Sequence, residues 1–242
     1  MAHTSSASCS PRHDAQPGSG IRVAGVDLVV DPDGILYWPE QGVLAVADLH
    51  LEKGSSFARR GMLLPPYDTA ATLGRLAHLI ARYAPRLVVA LGDSFHDGEG
   101  PARVAPADRA AIAAMQRGRD WLWIAGNHDP DPVDGIGGRC ARKFAIGPLV
   151  FRHEPTKDAC DGEIAGHLHP VARVSLRGRG ISRRCFASDG KRMVMPAFGA
   201  YAGGLSLRDR AFAGLFERRT LTAHLLGERR IYAISGAHCL AG

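Results

Sequence analysis

The sequence predicts an α/β fold, and three observations carry that prediction. Short apolar runs at 43–47, 87–91 and 121–125 each stop at polar, metal-competent residues. Segments with helical periodicity lie between these runs, and after about residue 138 the chain turns β-rich. Strand, helix, strand, helix, strand is the order of a largely parallel sheet with helices packed on it. The later strands are expected to form a second sheet against the first.

In chain order, residues 1–20 mix Ser, Pro, Gly and His irregularly and are expected to be a disordered tail. His3 and His13 belong to it and are read as solvated. Residues 21–242 are read as one domain. The stretch 23–30, the turn Asp31-Pro32-Asp33-Gly34 and the stretch 35–38 read as strand, tight turn, strand. The run 43–47 is continuously apolar and ends at Asp48, as a buried strand would. A loop follows, then a helix over 65–83. Pro65 and Pro66 suit its start, and Leu73, Leu76, Ile80 and Tyr83 give it an apolar stripe that His78 falls outside. A second buried strand, 87–91, ends at Gly92-Asp93. A helix over 104–117 leads to a third, 121–125, ending at Gly126-Asn127-His128-Asp129. Further strands are expected at 139–146, 148–153, 162–166, 170–177, 181–188, 191–196 and 229–235, with a short helix near 208–217.

Composition bounds the function classes. A chain of 242 residues, 45% hydrophobic and 22% charged, can bury a sizeable core. No apolar run approaches the roughly 20 residues of a membrane-spanning helix, and residues 1–20 lack the apolar centre of a secretory signal. The expectation is a cytoplasmic protein without membrane contact. The five cysteines (Cys9, Cys140, Cys160, Cys185, Cys239) are odd in number and never in Cys-x-x-Cys spacing. That argues against a disulfide framework and against a cysteine zinc site. The formal charge of +6 favours polyanions in general without naming one.

The chemistry lies at the strand ends. Asp48-x-His50 follows the first buried run, Gly92-Asp93 the second and Gly126-Asn127-His128-Asp129 the third. His153 and Gly166-His167-Leu168-His169 come later, again after expected strands. The carboxyl ends of parallel strands are where open α/β sheets build sites. Each piece alone is a common turn; their joint order is not. Divalent ions such as Mn²⁺, Fe²⁺ or Zn²⁺ take mixed imidazole and oxygen ligands. Two ions about 3.5–4 Å apart can clamp both oxygens of an in-line displacement.

This order of motifs resembles the calcineurin-like metallophosphoesterase superfamily, from about Val43 to His169. The resemblance implies a four-layer αββα sandwich and a binuclear metal centre. It implies that Asp48, His50 and His169 hold one ion, that Asn127, His153 and His167 hold the other, and that Asp93 bridges them. A metal-bridging hydroxide would be the nucleophile. His128 would stand at the scissile phosphate, with Asp129 orienting it; the alternatives are a packed histidine and a turn carboxylate.

Finer strings narrow the resemblance. Leu36-Tyr37-Trp38-Pro39-Glu40, Ala47-Asp48-Leu49-His50-Leu51-Glu52-Lys53-Gly54, Gly92-Asp93-Ser94-Phe95-His96-Asp97, Gly166-His167-Leu168-His169-Pro170, His153-Glu154-Pro155 and Pro196-Ala197-Phe198-Gly199 carry it. They resemble the ligase-associated DNA damage response endonucleases (PdeM), which group with a helicase, an exonuclease and a DNA ligase. That implies a manganese-dependent nuclease of single-stranded DNA, acting in DNA repair. Arg59, Arg60 and His96 lie on loops near the ligands and are the candidate substrate-binding residues. His96 and Asp97 read equally well as a loop cap. Arg173, Arg177, Arg179, Arg183 and Arg184 surround an expected hairpin and form either a ridge for a phosphate backbone or a solvated sheet face. Phe57, Phe198 and Tyr201 are the loop aromatics available for base stacking. Two other readings compete: a phosphatase or nucleotide pyrophosphatase for a small phosphorylated substrate, and a non-catalytic scaffold of the same fold. The full set of metal-competent residues argues against the scaffold.

Overall fold

A computed structural model describes residues 18–65, 67–130, 135–158, 160–176 and 178–240. Its first sheet comprises β1 (Ser19–Val23), β2 (Val26–Val30), β3 (Leu36–Trp38), β4 (Val43–Val46), β5 (Leu87–Leu91), β6 (Asp120–Ile124) and β7 (Arg139–Ala141), adjacent in that order. β1 to β4 pair antiparallel and β4 to β7 parallel. The helices α1 (Lys53–Arg59), α2 (Asp68–Tyr83), α3 (Gly100–Arg103) and α4 (Pro106–Gln116) fill the parallel crossovers.

The second sheet contains β8 (Lys143–Ile146), β9 (Leu149–Arg152), β10 (Glu163–Ala165), β11 (Pro170–Leu176), β12 (Arg179–Ser188), β13 (Met193–Val194), β14 (Leu205–Ser206), β15 (Thr222–Leu226) and β16 (Ile231–Ser235). Its path runs β14-β11-β12-β13-β10-β9-β8, and β15 joins β12 to β16. β9, β10 and β13 run parallel.

Three apolar clusters define the layers. Leu73, Leu76, Leu79, Ile80 and Tyr83 of α2 pack with Ile112 and Met115 of α4 on Leu44, Val46, Val88 and Ala90. The expected α2 stripe is thus its buried face, and His78 is exposed. The other face of the first sheet (Ala45, Val89, Leu91, Leu122) meets Leu149, Phe151, Ile164, Phe186 and Met193 of the second. Leu207, Phe212, Leu215 and Phe216 cover the far side of the second sheet. The fold is α/β with two packed sheets, as expected. Among the described residues the outermost layer holds 3₁₀ turns at Arg210–Phe212 and Gly236–His238 in place of α-helices. The short helix expected near 208–217 shrinks to the first of these. Asp209 caps it by accepting from the Ala211 N–H, and Gly214 at φ 80° turns the chain away.

Other boundaries also differ. The stretch expected as one strand over 23–30 is a hairpin, folded at Ala24 (φ 48°) and Gly25 (φ 81°). β1 starts at Ser19, inside the stretch assigned to the tail; residues 1–17, with Cys9, His3 and His13, lie outside the described ones. The segment expected as one strand over 139–146 is two strands in different sheets, with Arg142 alone between them. α1, β14 and β15 were not expected. Cys140, Cys160, Cys185 and Cys239 are free thiols. No helix among the described residues is long and apolar enough to cross a membrane.

Candidate metal centre

Both sheets deliver their polar residues to one place. Asp48 and His50 follow β4, Asp93 follows β5, and the 126–129 loop follows β6; His153 follows β9, and His167 and His169 follow β10. All lie past the carboxyl ends of parallel strands. Asp48, His50 and His169 form one group and Asp93, His153 and His167 another, the ligand atoms of each lying within 4.8 Å of one another. In the first group His169 Nε2 is 3.3 Å from His50 Nε2 and 3.5 Å from Asp48 Oδ1. In the second, His153 Nε2 is 3.3 Å from Asp93 Oδ1 and 3.1 Å from His167 Nδ1. The groups adjoin, since His153 Nδ1 lies 3.7 Å from Asp48 Oδ1. Asn127 is exposed on the loop beside His153.

Hydrogen bonds orient these rings. His153 Nδ1 is 2.9 Å from the Leu91 carbonyl, which can only accept, so Nδ1 carries the proton and Nε2 offers its lone pair to the cluster. The His96 carbonyl, 2.7 Å from His128 Nδ1, fixes that ring in the same tautomer. His128 Nε2 stands 3.9 Å from Asp93 Oδ2.

Five of these residues have left-handed backbones: Asp48 (φ 53°), His50 (44°), Asp93 (45°), His167 (69°) and His169 (47°). Such φ values are unfavourable for residues with a Cβ, and cross-links between loops hold them. The His50 N–H donates to the Asp93 carbonyl and the Leu51 N–H to that of Ser94. The His167 N–H donates to the Asp48 carboxylate at 3.0 Å, and the His128 N–H to Asp93 Oδ1 at 3.0 Å. The loop 196–199 closes on the same segment, with the Phe198 and Gly199 N–H groups donating to the Ala47 and Asp48 carbonyls. Gly126 is required by proximity, because a Cβ there would lie 2.1 Å from the Asp93 backbone nitrogen and 2.4 Å from its Oδ1.

Asp129 does not orient His128 as expected. Its carboxylate accepts from the Ser94, Phe95 and Gly126 N–H groups at 2.8–3.1 Å, while the His128 ring is held by His96. It ties the loop after β6 to the loop after β5. Neither the 196–199 loop nor this clamp is visible from spacing alone, since both act through backbone groups.

Electrostatics decides what the cluster can hold. Asp48, Asp93 and Asp129 are 0%, 3% and 5% exposed. Among the described residues, only imidazoles pair with Asp48 and Asp93. Burial would push the Asp93 carboxyl up, but His153 and the His128 N–H outweigh it and hold it below the usual range. Burial, with the neighbouring His169, drops His50 to about 3, and burial with His153 lowers His167. These rings are therefore neutral lone-pair donors. Carboxylates buried with no lysine or arginine paired to them among the described residues form a site that cations would complete. Oxygen and nitrogen donors in two adjoining groups fit two divalent cations, and His50 Nδ1 is buried without a partner.

The expected substrate residues divide. His96 stacks on His128, with ring centroids 5.2 Å apart, and burial, with the nearby Lys53, lowers it to about 4. Phe57 lies tilted against His96, ring centroids 5.5 Å apart. Arg59 and Arg60 line a cleft with Ser56, Asp97, Gly98 and Glu99, and Arg59 is ion-paired to Glu99. Phe198 is fully buried and Tyr201 donates to the Pro65 carbonyl, so neither is a free stacking surface. The arginine ridge is not one surface. By register Arg173 and Arg184 share a face of the β11–β12 hairpin while Arg179 and Arg183 share the other. Arg184 donates to the Ala197 carbonyl, and Arg177 lies outside the described residues. Unexpected is a second cleft beside His153, lined also by Arg142, Lys143 and Arg152.

Comparison with known proteins agrees with this geometry. The family model for calcineurin-like phosphoesterases matches residues 42–180. Nuclease MPE of Pseudomonas putida is similar in structure, with 27% identity and a TM-score of 0.69 over 90% of this chain and 100% of that one. The phosphoesterase YfcE of E. coli aligns at 15% identity and a TM-score of 0.40, over 80% of this chain and 98% of its own. No curated protein matches by sequence.

Two expectations follow from the geometry. Gly126→Ala will push on Asp93 and reduce metal affinity by about 10–100-fold, the usual scale for disturbing a ligand's support; affinity equal to wild type in titration calorimetry would show that the loop yields without moving Asp93. In metal-stripped protein, acidification from pH 6.5 toward 4 will lower the melting temperature. In that window the unfolded chain protonates His50, His96 and His167, whose folded values lie below 6.5, so unfolding takes up protons. His224, lowered by burial, adds to them, while Asp129, raised by burial to about 6, Glu163 and Asp108 pull the other way; the deep drops at His50 and His96 outweigh these. A melting temperature rising on acidification would reverse that balance.

Proposed function

This chain belongs to the calcineurin-like phosphoesterase family, and on that premise we propose that it is a binuclear metal-dependent endonuclease of single-stranded DNA. It is a hydrolase of phosphoester bonds. The observation that carries the reading is the pair of adjoining ligand groups, Asp48–His50–His169 and Asp93–His153–His167. Nuclease MPE, similar over 90% of this chain, supports nucleic acid as the substrate. The strings resembling the ligase-associated endonucleases support DNA, and a cytoplasmic repair role beside a ligase, a helicase and an exonuclease.

In this reading Asp48, His50 and His169 would hold one ion and Asn127, His153 and His167 the other, with Asp93 serving both. The mixed oxygen and imidazole donors suit manganese, and accept iron or zinc. Two such ions supply Lewis-acid polarisation of the phosphoryl oxygens and a water of lowered pKa. The protein's part is placement and proton transfer. His128, anchored through Nδ1–H on the His96 carbonyl, presents Nε2 on the Asp93 side. In its imidazolium form it donates the Nε2 proton to the leaving oxygen without turning the ring. Asp129 keeps the loop bearing Asn127 and His128 in register with Asp93. His96 backs His128 and borders the substrate path.

With Mn²⁺ present, purified protein will cut a single-stranded oligonucleotide, and Asp93→Ala will remove nearly all cleavage. His128→Ala will retain its metals by elemental analysis while kcat falls on the order of 10²–10⁴-fold. Metal loss in that variant would make His128 a ligand. Hydrolysis of nucleoside diphosphates with DNA left intact would instead establish the small-substrate alternative.

A further inference from the structure

We propose that the cleft beside His153 and Asn127 is a subsite for a phosphate flanking the scissile bond of a polynucleotide, held by Arg142, Lys143 and Arg152. This rests on the nuclease reading and adds to it the side of the metal centre along which the strand lies. The cleft measures about 580 Å³ and is lined by Ala125, Gly126, Asn127, Pro130, Arg142, Lys143, Arg152, His153 and Glu154. It shares Asn127 and His153 with the metal centre, and sets three cations against one acid on its wall.

The three cations arrive by separate routes, each tied to a site residue. Arg142 is the one residue between β7 and β8. Its neighbour Ala141 accepts from the Ala125 N–H at 2.9 Å, two residues before Asn127, so Arg142 is fixed to the loop after β6. Arg152 directly precedes His153. Lys143 is the cross-strand partner of Arg152. Like charges directly opposite on paired strands are destabilising. Glu163, 3.5 Å from Arg152 Nε, offsets part of this, but the same carboxylate lies 3.4 Å from the buried Arg192. Arg142 and Lys143 are exposed, and among the described residues neither is in an ion pair. The fold therefore maintains an excess of positive charge at the edge of the metal centre.

The opposite cleft behaves differently. Its wall sets Arg59 and Arg60 against Asp97 and Glu99, two cations to two acids, with Arg59 paired to Glu99. A phosphate that the reaction leaves untouched gains nothing from the metals and must be held by side-chain cations, which release its counterions. Of the two clefts next to the metal centre, the one beside His153 carries them in surplus among the described residues.

The test compares wild type with an R142A/K143A double variant on a single-stranded oligodeoxynucleotide and on bis(p-nitrophenyl) phosphate, a diester with no second phosphate. The proposal expects kcat/KM for the oligonucleotide to fall at least about 10-fold further than for the small diester, mostly through KM. It also expects the log–log salt slope of oligonucleotide binding to flatten by about 1.4, at ~0.7 per lost contact on a single strand. An unchanged slope, or equal losses on both substrates, overturns it. Wild type that hydrolyses the small diester but leaves DNA whole refutes the nuclease reading itself, and this subsite with it. R142K/K143R keeps the charge and should restore oligonucleotide cleavage; failure to do so would assign the loss to packing.

Discussion

Everything at this centre depends on burying aspartates where no lysine or arginine meets them. Asp48 and Asp93 are almost fully enclosed, and the side chains paired with them among the described residues are imidazoles. Desolvation disfavours charge on acid and base alike and lowers His50 and His167, so those two rings serve as lone-pair donors and not as counter-ions. Backbone N–H groups from His128 and His167 stabilise the anions in part. The remaining demand is for cations that tolerate mixed nitrogen and oxygen donors. Metal affinity is here a consequence of how the chain buries its acids.

That arrangement costs conformational energy. Five left-handed residues, at about 1–2 kcal/mol each, represent roughly 5–10 kcal/mol, comparable with the about 5–15 kcal/mol by which whole domains are stable. The loops tolerate it because they are cross-linked. The segment after β4 bonds to that after β5, and Asp129 ties the latter to the loop after β6. The 196–199 loop, held by Arg75 and Arg184 at its own carbonyls, closes over Asp48. Two sheets packed face to face through Phe151, Phe186 and Met193 then bring His153, His167 and His169 within reach of the first sheet's aspartates.

What could be read from the sequence follows from how local each signal is. A buried strand and the ligand after it are contiguous, so Val43 to His50 or Leu87 to Asp93 announce themselves together, and the two metal groups need only the fold to meet. The glycines of Gly-Asn-His-Asp and Gly-His-x-His carry no signal of their own in the spacing. In fact Gly126 and Gly166 give way to the carboxylates of Asp93 and Asp48, a contact between distant segments that no spacing encodes. The 139–146 stretch reads as one strand because no turn residue interrupts it between Arg139 and Ile146; Arg142 is where the chain changes sheets. The arginine hairpin is open, in the sequence, between a ridge and a solvated face for a related reason. Composition shows a cluster, whereas alternation sends its members to opposite faces.

Substrate choice then has to lie beside the metals and not at them. A pair of cations acts on any phosphoester brought to it, so the discriminating information is the charge and shape of the flanks. Phe57, His96 and His128 form a continuous ring-on-ring wall, with Arg59 and Arg103 next to it committed to Glu99 and Asp97. Past His153 the wall is cationic instead. The flank with Phe57 and His96 offers ring surface, with Lys53 over Phe57 and Arg59 committed to Glu99. The cleft beside His153 offers cations, which under the subsite proposed above would engage a flanking phosphate; a substrate without such a phosphate would leave that second surface unused.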